Sequence, residues 1–222
     1  MNVVITGASG MVGRGVLLEC LDHPKIEKVF TVNRRSIEVT HPKHQELIVA
    51  DFLNLKSIES ELTGIDACYF CAGISSVGME EAAYTQITYN LTMHFAKTLL
   101  EHNPDSVFIY VSGQGTDGTE QAKSFWRRVK GKTENDILKM GFGKAYAFRP
   151  GYIQPYRGIK SKTPWVNSVY AVLSPVYAVL KRFPSTATNT INIGKAMINA
   201  TLERPDLPVF ENKDINGWAD RI

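Results

Sequence analysis

The stretch VVITGASGMVGRG, Val3 to Gly15, decides how the rest of the chain is read. Val3, Val4 and Ile5 form a short apolar run, as in a strand buried on both faces. Glycines at 7, 10 and 13 follow at once, and beyond Met11 the apolar residues Val12, Val16, Leu17 and Cys20 recur at helical spacing. A strand, a G-x-x-G-x-x-G turn and a helix, in that order, make the phosphate-binding start of a βαβ unit. Gly7 permits the sharp turn, Gly10 lets the backbone come close to a pyrophosphate, and Gly13 lets helix and sheet approach each other. The first-turn amides and the positive end of the helix dipole then face negative charge, with Ser9 as a hydroxyl donor. Gly7, Ser9, Gly10, Met11, Val12 and Gly13 are therefore the expected cradle.

Strands and helices continue to alternate outward from this unit. KVFTVN (28–33), ELIVAD (46–51), ACYFCA (67–72), SVFIYVS (106–112) and AYAFRP (145–150) read as further strands. A helix over 11–23, a short one near 54–62, a long one over 80–102 and another over 121–140 separate them; the long helix carries Ala83, Ile87, Leu91, Phe95 and Leu99 on one stripe. Continuous apolar strands separated by helices specify an α/β fold, a doubly wound parallel sheet of Rossmann type covered on both faces. Residues 1–222 are expected to form one domain, with 152–222, including a helix near 192–203, as a small C-terminal cap on the substrate side.

The chain has 222 residues, 44% hydrophobic and 21% charged, with a formal net charge of +3. That composition is ordinary for a globular protein, and the charge is too small to argue for nucleic acid or an anionic membrane. The cations Arg127, Arg128, Lys130 and Lys132 fan around a helix instead of forming one stripe, so no nucleic-acid partner is expected. WVNSVYAVLSPVYAVL (165–180) is too short for a membrane span and holds Asn167 and Pro175. It reads as core or substrate-lid packing, with a homodimer contact as the alternative. A strand pattern from Asn2 leaves no room for a signal peptide, and a cytoplasmic location is expected. Cys68 and Cys71 form C-x-x-C, but in a strand residues three apart point to opposite faces, so buried packing is expected rather than a disulfide. The histidines show no metal-ligand spacing, and no metal is expected.

Strand two ends at Asn33, followed by Arg34, Arg35 and Ser36, with no carboxylate before Glu38. A free ribose 2′-hydroxyl is commonly held by an acidic residue about 20 residues past the glycines, and a 2′-phosphate by a cation. Read by residue type, Asn33, Arg34 and Arg35 select NADP(H) over NAD(H), since guanidinium can bind phosphate through two donors.

With this loop, Asp51 and Phe52, the Cys71, Ala72, Gly73 run, Ser112, Lys130 and the FRPG at 148–151, the chain resembles the short-chain dehydrogenase/reductase superfamily. It looks like the atypical NAD(P)-binding branch that includes NmrA-like and Tat-interacting-protein-like oxidoreductases. The resemblance implies that Asp51 and Phe52 border the adenine and that Cys71, Ala72 and Gly73 line the adenine-ribose side. It implies that Pro150 lies by the nicotinamide and that Ser112 and Lys130 are catalytic, Lys130 also binding the ribose. In that superfamily a tyrosine four residues before the lysine is the acid or base; here the position holds Trp126, whose indole N–H donates a hydrogen bond but no proton near neutral pH.

Three classes of function stay open: an oxidoreductase acting on a small carbonyl-type substrate with another proton donor, such as Tyr110 or Tyr152; a cofactor-sensing regulator acting through a protein partner; and a scaffold that retains the cofactor site.

Overall fold

The computed structural model describes residues 1–159, 177, 180 and 183–221. β1 (Asn2–Thr6) lies inside a seven-stranded sheet with β2 (Lys28–Asn33), β3 (His44–Ile48), β4 (Ala67–Phe70), β5 (Val107–Val111), β6 (Lys144–Arg149) and β9 (Val209–Glu211). The order is β3-β2-β1-β4-β5-β6-β9, and every pairing is parallel. β7 (Tyr152–Gln154) and β8 (Ala187–Asn189) form a second, two-stranded parallel sheet in the C-terminal part. The Rossmann-like reading holds, with a smaller C-terminal sheet where the cap was expected.

Alternation along the strands loads both faces. Val3 and Ile5 of β1 bury themselves with Leu17 of α1 (Met11–Asp22) and Ile193 and Met197 of α5 (Thr190–Glu203). Val4 points the other way and joins Phe70, Phe95, Leu99 and Phe108 beneath α3 (Leu91–His102) and α4 (Phe125–Leu138). Each face removes large apolar side chains from water, which is the main drive to this layering. Cys68 lies in the second cluster and Cys71 packs against the first, so the two thiols do point to opposite faces; all three cysteines are free.

Four expectations shift. β3 pairs over His44–Ile48 instead of 46–51: the edge strand starts where His44 reaches Thr31, its Nε2 2.8 Å from the hydroxyl, and Val49 makes the last bond, to Asn33. The helix near 54–62 is a single 3₁₀ turn, Glu59–Leu62. The long helix is α2 (Glu81–Thr85), a π turn (Gln86–Asn90) and α3. Counted back from Phe95 at 3.6 residues per turn, the inward face falls at 88 and 84, and a strict four-residue spacing drifts away from it. Tyr84 and Thr88 are buried in place of Ala83 and Ile87, and Phe95 and Leu99 stay inside. Finally, β9 and α6 (Asn212–Ala219) extend the sheet edge; Glu211 and Asp214 form a reciprocal capping box that starts α6.

Among the described residues no helix is long and apolar enough to cross a membrane. The 165–180 run lies outside the described residues except for 177 and 180, as do Trp165 and Tyr170.

Candidate functional site

The strand order reverses between β1 and β4, and the loops leaving their C-terminal ends form the crevice where open α/β sheets hold ligands. Gly7 adopts φ +70°, and a Cβ there would stand 2.6 Å from the Ala72 amide nitrogen, so the loop after β1 rests directly on the loop after β4. The Thr6 hydroxyl accepts from the Ala72 amide at 3.2 Å and ties the same two loops together. Gly13 meets the Gly7 carbonyl so closely that a Cβ would lie 2.3 Å from its oxygen. Gly10 starts α1 without a side-chain cap, leaving the first-turn amides directed at the crevice. A narrow backbone cradle at a helix N-terminus fits the pyrophosphate of a dinucleotide.

Beside the cradle lies a cleft of about 470 Å³, lined by Ser9, Gly10, Arg14, Ser36, Ile37 and Glu38, with Arg157, Gly158 and Ile159 closing one side. Arg157 is pinned there by Glu19 and Asp22 of α1, at 3.0 and 2.8 Å. The loop after β2 is shaped by Glu46, whose carboxylate accepts from the Ser36 hydroxyl at 2.6 Å, the Ile37 amide at 2.7 Å and the Asn33 side-chain amide at 3.2 Å. Arg34 and Arg35 are exposed and lie outside the lining of the cleft. Asp51 is exposed and caps the following turn through the Leu53 amide, and Phe52 packs its ring 6.2 Å from Phe95. Gly73 is exposed, and Cys71 and Ala72 are half-buried at the end of β4.

The other half of the site is built where β5 meets α4. Lys130 donates to the Ser112 carbonyl, in a short contact, and its nitrogen lies 3.9 Å from where a Cβ on Gly113 would be. Burial pushes the Lys130 ammonium down to about 8, against the opposing pull of Glu134. Trp126, one turn earlier, sets its ring against the loop, 3.4 Å from where a Cβ on Gly115 would be. Ser112 turns its hydroxyl inward, donating to Glu134 in a short contact, with the Phe148 carbonyl oxygen 3.2 Å from the same hydroxyl. Glu134 is itself buried and paired with Arg149 at 2.5 Å, and Arg149 also reaches Glu211 at 2.9 Å. Pro150 is buried at the end of β6, its carbonyl accepting from the Gln114 amide at 2.9 Å. Ser112, Lys130 and Trp126 are thus brought together, but it is the Ser112 carbonyl that faces the lysine. The remaining cations of α4 are engaged separately: Arg127 with the Gly115 carbonyl, Arg128 with Glu81, and Lys132 with Asp136.

Two candidate proton donors fall differently. Tyr110 is enclosed by the second core cluster, and burial pushes its phenol well up. Tyr152 is half-buried, with its hydroxyl donating to Gln154 at 2.9 Å. Sequence reasoning missed Arg14, Glu46 and Arg157. Arg14 was findable one residue past Gly13; Arg157 reaches the cleft, and Glu46 the loop that lines it, only through tertiary pairing.

A family model described as the NAD dependent epimerase/dehydratase family matches residues 3–129. The curated protein fmp52, mitochondrial, of Emericella nidulans is 26% identical over 91% of this chain and 88% of its own. Among solved structures, a variant of uronate dehydrogenase from Agrobacterium tumefaciens complexed with NAD matches with TM-score 0.64 and 18% identity, over 94% of this chain and 75% of that one. The Bordetella bronchiseptica enzyme WbmF in complex with NAD+ matches with TM-score 0.67 and 15% identity, over 97% and 76%.

These findings correct two expectations and coarsen a third. The NADP(H) assignment is overturned: the two cofactor complexes hold NAD, and here Arg34 and Arg35 are exposed and outside the cleft lining while Glu38 lines it and Glu46 stands behind it. The cytoplasmic expectation is overturned by the relatives, named mitochondrial from Emericella nidulans through Debaryomyces hansenii to Aspergillus niger. The superfamily resemblance holds at the level of an NAD-binding Rossmann-fold oxidoreductase family, with nothing that singles out the NmrA-like branch. On the match over residues 3–129, more than half of its length, the chain belongs to the NAD dependent epimerase/dehydratase family.

Proposed function

We propose that the chain is an NAD(H)-dependent oxidoreductase acting on a small carbonyl or alcohol substrate, with Lys130 as its working side chain. The observation that supports this reading is the Lys130 ammonium held against the Ser112 carbonyl at the C-terminal end of β5, on the same edge of the sheet as the glycine cradle. The amides of Met11, Val12 and Gly13 hold the pyrophosphate, with Ser9 beside them and Gly10, whose own amide is given to the Gly7 carbonyl, permitting the close approach. Asp51, Phe52, Cys71, Ala72 and Gly73 form the adenine side, and Pro150 the nicotinamide side. A bound nicotinamide supplies or accepts the hydride. Lys130 holds the ribose and, with an indole at 126 that has no proton to give, donates the proton to the nascent alkoxide oxygen; solvent then restores the ammonium. A group near pH 8 is suited to that exchange close to neutrality. Ser112 is a positioning residue, its carbonyl aiming Lys130 and its hydroxyl fastening α4 through Glu134. Residues 152–222 form the substrate-side cap of a single domain, and a mitochondrial setting follows the names of the relatives.

Trp126 favours a second reading, in which the protein senses NAD(H) without turnover and acts on a protein partner. One comparison separates the two. NADH affinity and aldehyde reduction are measured for wild type, Lys130→Met and Trp126→Tyr. The enzyme reading expects NADH binding that weakens in Lys130→Met, with turnover reduced by about 10²-fold or more, as for loss of a positioned acid. Tight NADH binding with no turnover in wild type, and turnover appearing in Trp126→Tyr, supports the sensor instead. Unchanged NADH affinity in Lys130→Met sinks both assignments of this helix.

A further inference from the structure

We propose that Glu46 sets the cofactor preference, making the loop after β2 a poor receptor for a 2′-phosphate although two arginines stand on it. The inference rests on the NAD(H) reading above. Glu46 sits on β3 directly opposite Thr31 of β2. From there its two oxygens take the Ser36 hydroxyl, the Ile37 amide and the Asn33 side-chain amide. Ser36 and Ile37 line the cleft beside the cradle.

Of the loop residues that line the cleft, Ser36 offers a hydroxyl and Ile37 a backbone N–H, and both are already given to a carboxylate. The Ser36 oxygen also accepts from the Glu38 amide at 3.2 Å, so its one proton stays committed to Glu46. Glu46 therefore acts twice. It withdraws the donors a phosphate would use, and it places a fixed negative charge behind the wall that a phosphate would approach. The loop it shapes puts Glu38, at φ +54°, into the cleft lining and leaves Arg34 and Arg35 in solvent. Arg14 steadies the far side through the Ile37 carbonyl at 3.4 Å. An uncharged or 2′-hydroxyl ribose meets no such opposition.

The test is a fluorescence titration of wild type, Glu46→Gln and Glu46→Asp with NADH and with NADPH. Glutamine keeps the size and one acceptor oxygen while removing the charge; aspartate keeps the charge and shortens the reach. Wild type is expected to favour NADH at least tenfold, and Glu46→Gln to shrink that ratio by at least tenfold, about 1.4 kcal/mol, chiefly by tightening NADPH. Glu46→Asp, also the control should the glutamine variant fold poorly, is expected to keep the NADH preference even if both affinities fall. Equal weakening of both cofactors in Glu46→Gln, or a preference lost as fully in Glu46→Asp, assigns Glu46 a purely structural part and overturns the inference. Wild-type preference for NADPH, or binding of neither cofactor, overturns the NAD(H) reading and the inference with it.

Discussion

Replacing Arg149 with methionine removes one side of a buried ion pair and leaves the other. Arg149 ends β6, and its guanidinium meets Glu134 of α4 through three hydrogen bonds of 2.5 to 3.2 Å. The Glu134 side chain is 1% exposed and that of Arg149 17%. Without Arg149 the carboxylate stays buried with the Ser112 hydroxyl as its remaining close partner, and breaking a buried pair from one side costs about 3–5 kcal/mol. The bond to Glu211 adds little, since that carboxylate is 43% exposed and also caps α6. For a chain of this length each kcal/mol moves Tm by roughly 2–4 °C, so Tm should fall by about 6–20 °C. Glu134→Gln made together with Arg149→Met should lose clearly less than the sum of the single changes. Urea denaturation of the four proteins at pH 7 measures this. A loss below about 1 kcal/mol for Arg149→Met, or strict additivity in the double variant, refutes the account of Ser112, Glu134 and Arg149 as one unit.

Other predictions concern α4 and its lysine. Gly131→Ala would place a Cβ 1.8 Å from the Asp117 carbonyl oxygen, a backbone atom that cannot swing aside. Thermal denaturation should show a loss of at least about 2 kcal/mol, and a change under 0.5 kcal/mol would mean that the loop is not seated on the helix as described. Lys130 is lowered from 10.5 to about 8, so between those values the unfolded chain binds more protons and stability rises with pH. The rise is at most about 3 kcal/mol and should be missing from Lys130→Met, checked by urea denaturation from pH 7 to 10.5. If Lys130 gives the proton in carbonyl reduction, kcat/KM should fall as pH rises through about 8; a flat profile from pH 6 to 9.5 argues against it.

The parts of the fold legible in the sequence are those whose signals are local. Val3 to Gly15 specifies a strand, a turn and a helix from neighbours alone, and β1 and α1 start where that pattern puts them. The π turn was not legible, because nothing in the residue types of Gln86–Asn90 distinguishes it from α-helix. β9 is three residues long, and only its neighbours β6 and α6 make it a strand. At the site, Lys130 and Ser112 were found as a pair, but the inward turn of the Ser112 hydroxyl follows from Glu134 being tied to Arg149 across the sheet. The cofactor was illegible for the same kind of reason: the chemical type of Arg34 and Arg35 does not show that they lie outside the cleft, beside a loop whose Ser36 and Ile37 are held by Glu46 on the next strand.

The most direct test of the central claim is a crystal structure of the chain grown with NAD. The account predicts the pyrophosphate on the amides that follow Gly10, the adenosine ribose beside Ser36 to Glu38, and a nicotinamide-ribose hydroxyl within about 3.2 Å of Lys130 Nζ. A cofactor seated away from the glycine cradle, or a Lys130 still turned only to the Ser112 carbonyl with the ribose out of its reach, would contradict it.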